Sequence, residues 1–135
     1  MQRHLFVYGT LMTSVGVARL GKAMRARLQR EAESLGPATT AGQLYDLGRY
    51  PGLVALPEAA DLVHGEVFRL TDPAGAFRWL DAYEDVTPGD PGSDYERVLR
   101  AARLASGDDL QAWVYLYRGD LTGGRRVADG RWQPT

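Results

Sequence analysis

Two stretches of this chain concentrate residue types able to do chemistry: the acid at Glu84 and the loop Gly9-Thr10-Leu11. Asp72 is suited to cap a helix whose first residue is Pro73. At about 100° per residue, Leu80, Asp81 and Glu84 then lie within roughly 60° of Phe77. A carboxylate on such an apolar stripe loses solvation, which raises its pKa toward the range useful for proton transfer and makes Glu84 a candidate general acid or base. The competing reading ends the helix at Tyr83 and leaves Glu84 in water or paired with an arginine. Asp81 and Asp85 flank it, each either a like charge that raises its pKa further or a solubiliser of the helix end.

The other stretch, His4-Leu5-Phe6-Val7-Tyr8-Gly9-Thr10-Leu11, begins as a strand and ends as a loop. Leu5 to Tyr8 form a short, unbroken apolar run suited to a strand buried on both faces. Gly9 stops it and permits backbone conformations closed to other residues. The amides of Gly9, Thr10 and Leu11 could then turn inward as a nest of donors for an anion; a plain strand exit is the simpler alternative.

Six tyrosines fall in or beside expected strands: Tyr8, Tyr45, Tyr50, Tyr95, Tyr115 and Tyr117. Buried phenols need hydrogen-bond partners, and core and rim account for most of them. His4 and His64 are too few and too isolated to suggest a metal site. Neither a Gly-x-Ser-x-Gly elbow nor a glycine-rich phosphate loop of either common type occurs, which removes those hydrolase and nucleotide-binding classes.

Several elements must position these groups. Leu20, Met24, Leu28, Ala32 and Leu35 recur at helical intervals, predicting an amphipathic helix that stops near Gly36-Pro37, with Arg25, Arg27 and Arg30 on a solvated face partly paired with Glu31 and Glu33. Strands are expected from Ala38 to Leu47 and from Leu62 to Leu70, with bulges at Gly42 and Gly65, and a turn over Gly48 to Gly52 followed by extended Leu53 to Ala55. A loop that could serve as a lid covers Asp85 to Asp94. Two longer strands, Tyr95 to Leu104 and Leu110 to Tyr117, flank hairpin-turn residues Ser106 to Asp109. In the second, Leu110, Ala112, Val114 and Leu116 take one face and Gln111, Trp113, Tyr115 and Tyr117 the other. Residues 121–135 read as mostly irregular with one short edge strand. The sum is one α+β domain over residues 1–135: a curved, barrel-like mixed β-sheet of five or six strands with two main helices.

With 135 residues, 44% hydrophobic and 24% charged, the chain has the composition of a folded soluble domain. A net charge of −1 argues against nucleic-acid and membrane-surface partners, and the absence of cysteine excludes disulfides and a thiolate nucleophile. No run is long and apolar enough for a span, and no signal-type segment opens the chain, so a cytoplasmic location is expected.

Taken in order, Tyr8-Gly9-Thr10-Leu11, Tyr50-Pro51-Gly52, Gly65-Glu66-Val67, Leu80-Asp81-Ala82-Tyr83-Glu84 and Tyr95-Glu96-Arg97 make the chain resemble the gamma-glutamylcyclotransferase-like family over roughly residues 4 to 117. Its turn is tighter than the family pattern, with Pro51 directly after Tyr50. The resemblance implies a barrel-like fold and cyclisation of a gamma-glutamyl amino acid or amine to 5-oxoproline, without metal or cofactor. It casts Glu84 as general acid and base, the Gly9 to Leu11 amides as binders of a carboxylate or oxyanion, and Tyr8, Tyr95 and Tyr115 as pocket lining. The partner implied is a small gamma-glutamyl molecule, with the Asp85–Asp94 loop choosing among leaving amines. A non-catalytic carboxylate-binding module on the same fold is the alternative.

Overall fold

The structure, a computed structural model, describes residues 2–9, 19–48, 51–55, 61–84, 86 and 92–132. In chain order its elements are β1 (His4–Val7), α1 (Arg19–Glu31), β2 (Ala32–Ala41), β3 (Gln43–Asp46), β4 (Pro51–Val54), β5 (Leu62–Leu70), α2 (Pro73–Tyr83), β6 (Tyr95–Leu104), β7 (Asp109–Tyr117) and β8 (Arg125–Val127). Five strands close on themselves in the order β1-β5-β2-β6-β7, with β1 and β7 meeting in parallel at Leu5 and Trp113. From β7 the sheet continues through a parallel contact of Leu53 with Leu116 into β4, β3 and the edge strand β8. The expected α+β barrel with two helices is therefore present, and three short strands extend it.

Strand alternation sorts the apolar side chains into two cores. Phe6, Val63, Val67, Ala38, Ala102, Ala112 and Val114 come from all five closing strands and fill the barrel, together with Tyr8, Leu44, Leu53 and Trp132. Leu5, Val7, Phe68, Leu70, Tyr95 and Tyr115 face outward, where Leu28 of α1 and Ala76, Phe77, Trp79 and Leu80 of α2 cover them. The two faces expected for β7 separate accordingly, Ala112 and Val114 inward, Trp113, Tyr115 and Tyr117 toward the helix layer.

Three local expectations are corrected. The first helix ends at Glu31 rather than near Gly36, because main-chain pairing with β5 takes over from Ala32 opposite Leu70 onward. A 3.6-residue period in side chains cannot report that an unsatisfied strand edge lies alongside. Gly36, with φ +94°, instead marks a register shift in β2 after Ser34. Pro51 and Gly52, read as turn, open strand β4.

Gly65, expected as a bulge, keeps regular register with Ala38 and serves as a point of close approach. A Cβ there would lie 2.2 Å from the Val7 carbonyl oxygen and 2.6 Å from Phe6 Cζ. Gly65→Ala should therefore cost about 1–3 kcal/mol by forcing β1 and β5 apart. Urea denaturation measures this, and an unchanged midpoint would contradict the tight β1–β5 packing.

Candidate active site

The cap of α2 is built as its sequence suggests. Asp72 accepts a hydrogen bond from the Gly75 amide at 3.2 Å, Pro73 begins the helix, and Ala76, Phe77, Trp79, Leu80 and Asp81 are buried. Regular helix stops at Tyr83, but Glu84 remains tied to it: its N–H donates to the Leu80 carbonyl at 2.9 Å and its φ and ψ are −84° and 2°. Glu84 forms no ion pair among the described residues. Burial of its carboxyl, followed by the charge of Asp81, pushes its pKa up from 4.5 to about 7.

Asp81, one turn earlier, is gripped from two strands. Arg97 of β6 donates through Nε at 3.0 Å and Nη2 at 3.4 Å, and the Tyr115 hydroxyl of β7 donates at 2.6 Å. The guanidinium lies between aromatic faces, 4.0 Å from the Phe77 ring centroid and 4.6 Å from that of Trp113. Tyr115 has its pKa raised by burial, the Asp81 hydrogen bond and the charges of Asp81 and Glu84, so it serves as a neutral hydroxyl donor.

Tyr8 lies at the end of β1 with its hydroxyl committed to main chain. It donates to the Tyr115 carbonyl at 2.5 Å and accepts from the Leu53 amide at 3.2 Å, tying β1 to β7 and β4. Burial and then the charge of Glu84 raise its pKa, which places Tyr8 within the electrostatic reach of that carboxyl. Tyr95 donates to the Pro51 carbonyl at 2.7 Å and packs edge-on against Tyr117 at 5.3 Å. Gly9 faces the same proline, since a side chain there would sit 2.9 Å from Pro51 Cγ. The hydroxyls of Tyr8, Tyr95 and Tyr115 thus tie neighbouring segments of the wall together.

Thr10 and Leu11, and with them most of the amide nest, lie outside the described residues. So does most of the Asp85–Asp94 loop. Val86 is described: it packs on the helix-side core and its N–H donates to the Asp81 carbonyl at 2.7 Å. In the sequence Arg97 belongs to the Tyr95-Glu96-Arg97 motif without a role of its own. The available signal was alternation: Tyr95 and Arg97 share a strand face, and an arginine on a face that also carries a buried tyrosine needs a buried acid.

A closed five-stranded barrel carrying a near-neutral carboxyl at the end of a packed helix is the class of fold and site present here. The chain belongs to the family described as gamma-glutamyl cyclotransferase, AIG2-like, whose model matches residues 5–134. A Vibrio cholerae protein is 36% identical over 120 residues, which cover 87% of this chain and 84% of that protein. The gamma-glutamylcyclotransferase family protein YtfP of Escherichia coli is 31% identical over 129 residues, covering 95% and 94%. Its solution structure matches with a TM-score of 0.62 at 30% identity, over 96% of this chain and 95% of that one. Bacillus subtilis YkqA shares the fold with a TM-score of 0.68 at 21% identity; the match takes in 98% of this chain and 40% of YkqA. The family resemblance carried by the ordered motifs is thereby established. No helix among the described residues is long and apolar enough to cross a membrane.

Proposed function

We propose that this protein cyclises a gamma-glutamyl amino acid or amine to 5-oxoproline and releases the amine, with Glu84 carrying the protons. The observation that supports this most is the Glu84 carboxyl, whose pKa of about 7 lets it both accept and return a proton near neutrality. Family membership supplies the substrate class.

The substrate brings its own nucleophile. Glu84 as carboxylate takes one proton from the alpha-ammonium, and the freed amine attacks the gamma-carbonyl carbon to close a five-membered ring. Negative charge develops on the carbonyl oxygen, where amides of the Gly9–Leu11 stretch would stabilise it or hold the alpha-carboxylate. Glu84 returns its proton to the leaving nitrogen, the original amide C–N bond breaks, and the second proton shed by the ring nitrogen follows to the departing amine. The products are 5-oxoproline and a protonated amine, and atoms and charge balance. Holding the chain folded back on itself accounts for several kcal/mol of the barrier. Tyr8, Tyr95 and Tyr115 would line the pocket mainly through their rings, since their hydroxyls hold protein groups.

Purified protein incubated with a panel of gamma-glutamyl amino acids and amines should release 5-oxoproline, read by mass spectrometry; no release from any member overturns the proposal. On the best substrate, kcat/KM should rise with pH through an apparent pKa near 7, because Glu84 must be deprotonated to accept the ammonium proton, and fall again where the ammonium itself titrates. A profile flat between pH 5.5 and 8 would remove Glu84 from the role.

A further inference from the structure

We propose that Asp81 is a positioning residue for the proton carrier: an immobile carboxylate, gripped by Arg97 and Tyr115 one helical turn before Glu84, whose fixed negative charge keeps Glu84 ready to take up a proton. This rests on the reading of Glu84 as the acid and base.

The geometry distinguishes Asp81 from an ordinary helix-end acid. Its side chain is 13% exposed and that of Arg97 17%, and each oxygen of the carboxylate has a partner: Arg97 Nε and the Tyr115 hydroxyl on Oδ1, Arg97 Nη2 on Oδ2. Phe77 and Trp113 flank the guanidinium and fix its plane. The carboxylate therefore cannot swing away from Glu84 when Glu84 becomes charged. Residues three apart on a helix share a face, so the two acids are held on one side of α2. In the partly desolvated space between them, like charges repel more strongly than in water.

Tyr8, directly after β1, and Tyr115 of β7 are neutral phenols that both feel Glu84. Arg97 of β6 supplies a cation whose fork is spent on Asp81, while Arg27 and Glu31 of α1 engage Trp79 on the same helix. After burial, Asp81 is the charge that raises the proton affinity of Glu84. Salt-bridge geometry alone would describe Asp81 as structural. The added role makes Asp81 and Glu84 a coupled pair, one carboxylate clasped in place by Arg97 and Tyr115 beside another that handles the proton.

The test compares wild type with Asp81→Asn, Glu84→Gln, Asp81→Asn/Glu84→Gln, and Asp81→Asn/Arg97→Gln, the last leaving no unpaired buried charge should Asp81→Asn alone fail to fold. The acid limb of kcat/KM is expected to move to lower pH, by roughly half a unit or more, in every folded variant that lacks Asp81 and keeps Glu84. Independently of substrate, urea midpoints between pH 5 and 8 should show that the penalty for losing Asp81 shrinks as pH rises when Glu84 is present and is constant when it is glutamine. An unmoved acid limb, or a penalty with the same pH dependence in both backgrounds, would make Asp81 structural only and overturn the proposal. If wild type releases no 5-oxoproline, the reaction assignment fails by itself, while the stability measurements still report whether Asp81 acts on Glu84.

Discussion

Replacing Glu84 with glutamine should lower turnover by about 10²- to 10⁴-fold, the range general acid and base catalysis commands, and should also make the folded protein more stable above neutrality. The sign follows from linkage. In the folded chain the Glu84 pKa is about 7, against 4.5 without the fold. Between those values the folded state holds a proton that the unfolded state has released, so stability falls as pH rises through that window. The full cost, about 3 kcal/mol, is reached above pH 7. Glutamine imitates the neutral acid and carries no such cost. Wild type and Glu84→Gln should therefore have similar urea midpoints near pH 4.5 and separate progressively up to pH 8, the mutant being the more stable. Equal turnover would sink the catalytic role, and a stability difference that does not vary with pH would show that the carboxyl is not desolvated. Stability gained together with activity lost is the behaviour of a group retained for function at the expense of the fold.

Arg97→Ala should be the most damaging single charge removal on the described surface and core. It leaves the Asp81 carboxylate buried without its ion partner, which costs about 3–5 kcal/mol, and it removes a cation from between Phe77 and Trp113. Arg103→Ala provides the control. Its pair with Asp109, at 2.8 Å, looks similar in distance, but the side chains are 67% and 65% exposed, so the unfolding midpoint should barely move. Thermal or urea unfolding of the two variants side by side decides the matter; equal costs would mean that burial of the Asp81 pair contributes nothing. Arg97→Lys should fall between them, because lysine keeps the charge and loses the two-pronged grip.

Both predictions concern residues that differ in how openly the sequence displayed them. Glu84 stood out through the period of α2, since a helix with a capped start and apolar residues at fixed spacing dictates which side chains point inward wherever the helix is packed. Of the two helix ends the sequence allows, the structure has the one at Tyr83, and the hydrogen bond of the Glu84 N–H to the Leu80 carbonyl keeps its backbone tied to the helix nonetheless. The role of Arg97 is invisible in its motif, because it depends on Asp81, sixteen residues away and on another element.

The tyrosines show the same division. Alternation alone placed Trp113, Tyr115 and Tyr117 on one face of β7. That the Tyr8 hydroxyl lies between the Tyr115 carbonyl and the Leu53 amide depends on closure of the barrel, which brings β1 and β4 to the same edge of β7, opposite β6. The transition from α1 to β2 at Ala32 and the close approach at Gly65 have the same origin. Each is decided by a neighbouring strand edge, a non-local main-chain partner that no local pattern contains.

By itself, then, the sequence determined the secondary structure that depends on near neighbours: the capped helix α2 and the β6–β7 hairpin with its two-faced second strand. The order of its motifs also determined the family. Only the tertiary structure decided how the sheet closes, where α1 yields to β2, and that Asp81 is clasped by Arg97 and Tyr115 beside Glu84. Periodicity is a property of consecutive residues and survives in any context, whereas desolvation and ion pairing exist only once distant segments exclude water between them.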